Sequence, residues 1–422
     1  MKILWFANTP CSAVEKFGGN LNSGGWLRSL EEGLNKVPEI ELAICFYTYK
    51  NIESFKYNGT QFYPVLKKGK KNKIRRLIKR IIPSSKSDKP EVQELLKVIH
   101  LFQPDLIHVH GTEDNFGLVQ FNTNIPVLIS IQGILNPYSE KYFSGIPFHI
   151  ASNLEGIILK VFSSGFGSIY NQFKRKAQRE QKILSGARYI IGRTDWDRRV
   201  VSILSPKSKY FIGNEMLRSG FYENQWNKKQ FGDTLQIVTI SGDAMYKGFE
   251  AIVNSAKILK ENTMLKFKWK VIGLNENSNI VNIVMKWKRT NLQNLEIELL
   301  GSKNENEIVE ILLDSDIYCQ TSHIENSGNS LCEAMILGMP IIATFAGGTS
   351  SLLKDKEEGI LIQDGDSFSL AGSIKELSDD FSIALSYGKA ARMKALIRHE
   401  KNNIREEYLK IYRKLAEVDL SK

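Results

Sequence analysis

Short apolar runs alternate with amphipathic stretches along most of the chain, and the alternation restarts once. The first run, residues 3–7, passes through a Gly/Asn/Ser-rich loop into a helical period at about residues 26–36. Strand signals follow at "ELAICFYTY", "DLIHVH", "PVLISIQG" and "ARYIIGRT", with a helical pattern over residues 91–102 among them. Apolar strands separated by helical periods predict a parallel sheet covered by helices. After a polar, turn-rich stretch at 219–233, a second series begins: "LQIVTISG", "FKWKVIG", "LEIELLG", "DIYCQTS", "PIIATFA" and "GILI". Two consecutive doubly wound, Rossmann-like α/β domains account for this better than one very large sheet. They are expected over residues 1–213 and 214–400, connected near 213–233. The chain from Ser367 onward reads as helical and charged, and residues 401–422 are expected as a helix that packs back on the first domain.

A length of 422 residues agrees with two cores rather than one. With 42% hydrophobic and 24% charged residues, the composition is that of a soluble globular protein and excludes general disorder. The net charge of +11 bears on partners: nucleic acid, an anionic membrane face and phosphate-bearing substrates all suit it. Cys11, Cys45, Cys319 and Cys332 form no CxxC pair and read as reduced, buried thiols of a cytosolic protein. The apolar start of "MKILWFANTP" is too short for a signal sequence, and no apolar run of membrane-spanning length occurs.

The chemistry concentrates in "HIENSGNSLCEAMILGMPIIATFAGG", which follows the strand "DIYCQTS". Ligands of open parallel sheets gather at the carboxyl ends of strands. Gly328, Asn329 and Ser330 precede a short helix expected from Leu331 to residue 337, so their free N–H groups and the positive helix end suit a diphosphate. Glu325 falls in the loop before that turn and Glu333 in the first helical turn, where carboxylates can accept hydrogen bonds from sugar and ribose hydroxyls. A glutamate pair at this spacing is weak evidence alone. The ordered frame Ser322, Glu325, Asn326, Gly328, Ser330, Glu333, Ala334, Gly338, Pro340, Gly347, Gly348 is far more specific. It resembles the E-x7-E signature of family four of the retaining GT-B glycosyltransferases, the glycosyl transferases of group 1.

The resemblance extends to "YKGFEAIVNSAKIL", where Lys247 matches a lysine that contacts the donor diphosphate, and a cation there suits the charge on a departing nucleoside diphosphate. It implies that Gly301 and Ser302 line the nucleobase pocket and that Gly24 and Gly25, in "NSGGWLRSLEEGL", lie near the donor phosphates and the acceptor. Two positions depart from the pattern: Gly242 stands where many members carry arginine, and Gln132 where many carry histidine. Arg193, ending the strand "ARYIIGRT", is the candidate to replace the missing cation, whereas Arg198 and Arg199 read as surface residues of the next helix. Gln132 can hydrogen-bond a sugar hydroxyl but cannot carry a proton. The resemblance implies a mechanism in which the donor phosphate takes the acceptor proton, so catalysis does not require a histidine there. His110, ending "HVH", is a further cleft candidate with a structural reading beside it.

No metal is expected, because the Asp195/Asp197, Asp314/Asp316 and Asp364/Asp366 pairs all fall where helix starts and turns use aspartate. The segment 67–86 carries nine Lys/Arg and no acid between Lys67 and Arg80, with Ile74, Leu77, Ile78, Ile81 and Ile82 on one helical stripe. It reads as an interfacial helix on an anionic leaflet or as a solvated basic loop; without interleaved aromatics it does not read as a nucleic-acid site. A second stretch, within a helical insertion at 138–182, is almost uncharged. It reads as helices over the acceptor side that dip into lipid, or as an extra helical layer or a subunit contact.

The resemblance therefore implies a GT-B fold, two Rossmann-like domains facing across a cleft with a helical C-terminal segment. It implies transfer, with retention, of a sugar from a nucleotide-diphosphate donor, used as co-substrate without a resident cofactor, to a lipid-linked or growing saccharide acceptor. Bacterial surface-polysaccharide assembly on the inner face of the plasma membrane is the expected setting. A catalytically silent GT-B scaffold, and an epimerase or hydrolase of the same fold, are the rival readings.

Overall fold

A computed structural model describes residues 1–17, 25–67, 88–154 and 165–417. The first sheet contains β1 (Lys2–Ala7), β2 (Glu41–Thr48), β3 (Phe55–Tyr57), β4 (Thr60–Leu66), β5 (Leu106–His110), β6 (Val127–Ser130), β7 (Tyr189–Gly192) and β8 (Lys209–Ile212). Their order is β3-β4-β2-β1-β5-β6-β7-β8, and β3 alone runs antiparallel to its neighbour. The second sheet contains β9 (Leu235–Ile240), β10 (Phe267–Ile272), β11 (Ile297–Gly301), β12 (Ile317–Gln320), β13 (Ile341–Thr344) and β14 (Ile360–Ile362), all parallel, in the order β11-β10-β9-β12-β13-β14. Central strands are covered on both faces, so Ile3 to Ala7 and Ile341 to Ala343 are wholly buried. The strand order reverses between β1 and β5 and again between β9 and β12. Loops leaving the carboxyl ends there splay apart and leave a crevice.

Three strands go beyond the sequence reading. β3 and β4 form a hairpin around Asn58 and Gly59, both at positive φ (46° and 87°), as a two-residue Asn-Gly turn requires. β8 is a four-residue edge strand beside β7.

The helix Lys401–Glu417 lies on the first sheet, where Ile404, Tyr408 and Tyr412 pack among Ile3, Trp5 and Leu128. Trp5 Nε1 donates to the Tyr412 hydroxyl at 3.2 Å, and His108 Nδ1 sits 2.6 Å from the same oxygen. The insertion after β6 crosses to the other domain. Tyr142, Ile146, Ala151 and Phe166 are buried with Phe249 and Ile280 of the second domain. These buried residues form an extra helical layer over the second domain, while Phe148 and Ile169 of the same insertion are exposed. Most of the basic segment, 68–86, lies outside the described residues, as do Gly24 and residues 155–164 of the insertion. Lys67, at the edge of that basic segment, pairs with Asp114 at 2.9 Å.

Candidate functional site

The switch point of the second sheet brings Lys247 and Glu325 together. Lys247 ends the short turn Met245–Lys247 that follows β9, and Glu325 lies in the loop that follows β12. Lys247 Nζ is 2.5 Å from Glu325 Oε2, and Ser322 Oγ is 3.4 Å from the same oxygen. Two glycines permit this approach. At Gly248, φ +74°, an added Cβ would stand 1.9 Å from Thr321 O; at Gly347, φ +56°, it would stand 2.0 Å from Glu325 O. Burial works against the Lys247 ammonium, but the Glu325 carboxylate outweighs it and holds the pKa above its ordinary range.

The helix Asn329–Leu337 starts beside that pair, with Gly328 as its N-cap and no capping side chain. The first N–H groups, around Gly328, Asn329, Ser330 and Leu331, are therefore available to an anion, while buried Leu331, Cys332 and Ala334 anchor the helix in the core. Glu333 is 4% exposed. Arg218 grips it with a two-pronged contact, Nε to Oε1 at 2.7 Å and Nη2 to Oε2 at 2.8 Å. Burial raises the Glu333 pKa, and the guanidinium opposes this only in part. Arg218 belongs to the connection between the domains, and its aliphatic stem lies against Gly25, where an added Cβ would meet Cδ at 2.7 Å. The sequence reading missed Arg218, since a lone arginine in a stretch read as a linker carries no periodic signal. Gly301 ends β11, the outer strand of the same sheet, at the same carboxyl edge, and Ser302 follows it in the loop.

On the first domain, two expectations require correction. His110 does end β5, but it is 1% exposed, packed against Trp5 and Trp26 at ring distances of 4.4 and 5.8 Å, so it does not line an open cleft. Burial, with His108 and Arg193 nearby, holds its pKa well below the ordinary value. Arg193 does not reach Lys247 or Glu325. Its guanidinium lies 4.1 Å over the Trp26 ring and 3.8 Å from Glu215. The strand end was read correctly, but the cover supplied by Trp26 is a tertiary event. Gln132 contributes its carbonyl, which accepts from Asn326 Nδ2 at 3.1 Å, while its buried side-chain amide nitrogen has no hydrogen-bond partner. Beside it the carboxyl of Glu113, also missed, is pushed up to about 7 by burial and by Glu180.

Asn326 and Glu215 fasten the domains together behind the site. Asn326, fully buried, donates to Asp197 Oδ2 at 2.9 Å and accepts from Thr194 Oγ1 at 2.6 Å. Glu215 accepts from the Ser327 hydroxyl and faces Arg193 and Arg398 at 3.8 and 3.9 Å. Glu215, Cys332 and His399 bring ligand-type atoms within 4.8 Å of one another, but two guanidiniums facing the same carboxylate make the position unfit for a cation. The aspartate pairs have other partners: Asp197 closes a capping box with Thr194, Asp316 binds Lys228 at 2.6 Å, and Asp364 meets Lys141.

Asp364 also lies 3.3 Å from His323 Nδ1, whose Nε2 is 2.6 Å from Glu250. Burial opposes the imidazolium, yet Glu250 and Asp364 outweigh it and raise the pKa above 6.5. A raised folded pKa stabilises fully below the unfolded value and ceases to do so as pH climbs through the folded value. The melting temperature of wild type should therefore exceed that of His323→Gln most below pH 6.5, with the gap closing as the pH rises. A gap independent of pH would refute the charged network.

Residues 222–394, which include Lys247, Glu325 and Glu333, match the family described as glycosyl transferases group 1. The second domain belongs to that family. Part of the chain is 31% identical over 124 residues to N-acetyl-alpha-D-glucosaminyl L-malate synthase of Bacillus anthracis, covering 29% of this chain and 32% of that protein. A second relative is the N,N'-diacetylbacillosaminyl-diphospho-undecaprenol alpha-1,3-N-acetylgalactosaminyltransferase of Campylobacter jejuni, 25% identical over 42% of this chain and 44% of its own. The chain thus spans less than half of the length of each of these two relatives. In overall structure it is similar to Anabaena HepE, solved in complex with UDP and glucose, with a TM-score of 0.64 at 14% identity over 97% of this chain and 99% of that one. The group 1 domain and its partner thus adopt the GT-B fold.

Proposed function

We propose that the chain is a retaining glycosyltransferase that moves a sugar from a nucleotide-diphosphate donor to a hydroxyl of a lipid-linked or growing saccharide, in bacterial surface-polysaccharide assembly. The observation that carries this reading is the Lys247–Glu325 pair at the sheet's switch point, 2.5 Å apart, beside an uncapped helix start. In this reading the N–H groups of Gly328, Asn329 and Ser330 and the Lys247 ammonium hold the diphosphate, so no resident metal is needed. Lys247 stabilises the charge that builds on the leaving phosphate. Glu325 accepts hydrogen bonds from the sugar, Glu333 from the ribose, and Gly301 and Ser302 border the base.

The lipid-linked acceptor is supported by the Campylobacter relative, whose name specifies a diphospho-undecaprenol substrate. A nucleotide donor is supported by the UDP held by HepE. Peripheral attachment at the inner face of the plasma membrane rests on the basic segment 67–86; among the described residues no helix is long and apolar enough to cross a membrane. Gly242 and the sequestered Arg193 favour the silent-scaffold reading, whereas the retained Lys247, Glu325 and Glu333 oppose it.

Thermal melting with UDP, GDP, ADP and CMP and their sugar conjugates tests the proposal. One nucleotide at 100 times its dissociation constant should stabilise wild type by about 2.7 kcal/mol, and Glu333→Ala should abolish the shift. Absence of a shift with every nucleotide in wild type would favour the silent scaffold.

A further inference from the structure

We propose that Arg218 is a donor-responsive gate: its guanidinium fork occupies the edge of Glu333 that a ribose diol would take, and donor binding transfers it to the diphosphate. This rests on the donor-site reading above and deepens it.

The two prongs of Arg218, at 2.7 and 2.8 Å, use one oxygen each of the Glu333 carboxylate. A vicinal diol presents two O–H donors to the same two oxygens, so guanidinium and ribose compete for one edge. Glu333 needs such a partner, because it is 4% exposed and a buried carboxylate without a donor is strongly unfavourable. A displaced guanidinium also has a destination. The helix start at Gly328 lies about one and a half turns from Glu333, a displacement on the order of 7 Å, and a diphosphate seated there brings negative charge that Lys247 alone does not neutralise. Gly242 offers no second cation on that side.

The position of Arg218 suits a short swing. Its stem lies against Gly25 of the first domain and its guanidinium carbon is 4.8 Å from the Phe221 ring, so the swing turns the outer side chain away from that ring. The glycine at position 25 is required by this contact, since a side chain there would strike the arginine stem at 2.7 Å.

Calorimetric titration separates this from a merely positioning role. UDP, GDP and ADP are titrated into wild type, and the nucleoside of the best binder is then compared with its diphosphate in Arg218→Gln and Arg218→Lys. The gate predicts a split: diphosphate affinity falls at least tenfold in Arg218→Gln, while nucleoside affinity is unchanged or rises. Arg218→Lys, which keeps the charge but not the fork, serves if the glutamine variant does not fold; its nucleoside affinity should rise while its diphosphate affinity falls. Equal losses for nucleoside and diphosphate would overturn the gate alone and leave Arg218 as a prop for Glu333. Failure of wild type to bind any of the three diphosphates would overturn the donor site and the gate with it.

Discussion

Glu215→Ala is expected to cost the fold about 3–5 kcal/mol, the usual consequence of removing one partner from a buried ion cluster. Glu215 is fully buried between Arg193, at the end of β7, and Arg398, at the end of the helix Phe381–Arg398. Its other oxygen receives the Ser327 hydroxyl from the loop that carries Glu325. Without the carboxylate, two guanidiniums face each other across a buried space with Nη2 of Arg193 and Nε of Arg398 already lacking hydrogen-bond partners. The urea midpoint should fall sharply. Glu215→Gln, which keeps the volume and a hydrogen-bond acceptor, should lose less.

The same cluster sets a pH dependence of opposite sign to that of His323. Burial opposes the Glu215 charge, but Arg193, His399 and Arg398, with the Ser327 hydroxyl, outweigh it and lower the pKa to about 2 from 4.5. A depressed folded pKa contributes stability above the unfolded value and loses it as pH falls towards the folded one. The stability gap between wild type and Glu215→Gln should therefore be constant above pH 4.5 and shrink between 4.5 and 2. A gap that widens on acidification would disprove the assigned charge state.

How much of this could be read from the sequence depended on what each feature leaves in it. All six strands of the second sheet were legible: those buried on both faces are written as nearly unbroken apolar runs, as in "PIIATFA", and β10 as the alternation of "FKWKVI". β4 was missed because Thr60, Gln61 and Pro64 break its apolar run, although the Asn58–Gly59 dipeptide before it is a strong hairpin signal. Lys247, Glu325 and Glu333 were legible as members of a spaced frame around one strand end. Arg218 and Glu215 were not: their partners Glu333 and Ser327 lie 115 and 112 residues away, and an ion pair or hydrogen bond at such separations imposes no local pattern. For His110 and Arg193 the strand ends were right. Trp26 nevertheless covers both, because which side chain closes over a strand end is decided by packing between elements distant in sequence.

Lys247→Ala is expected to lower turnover of a nucleotide-sugar donor by about 10²–10³-fold, the range for removing one preorganised group that stabilises charge in the transition state. It should also weaken the nucleoside diphosphate while sparing the nucleoside, since the ammonium meets only phosphate. The partner sharpens the test. In the alanine variant Glu325 is left without its cation, only 16% exposed at the side chain, and its charge then faces the incoming diphosphate. Glu325→Gln in the Lys247→Ala background should therefore restore part of the diphosphate affinity, although it removes a second polar contact to the sugar. Such a recovery is a coupling between the two sites, and a double-mutant cycle measures it directly. Additive losses would mean that the 2.5 Å pair holds the loop in place and that the diphosphate is bound elsewhere. Recovery of the diphosphate with turnover still lost would place Lys247 at the leaving group, because binding would then have been separated from the step in which charge develops.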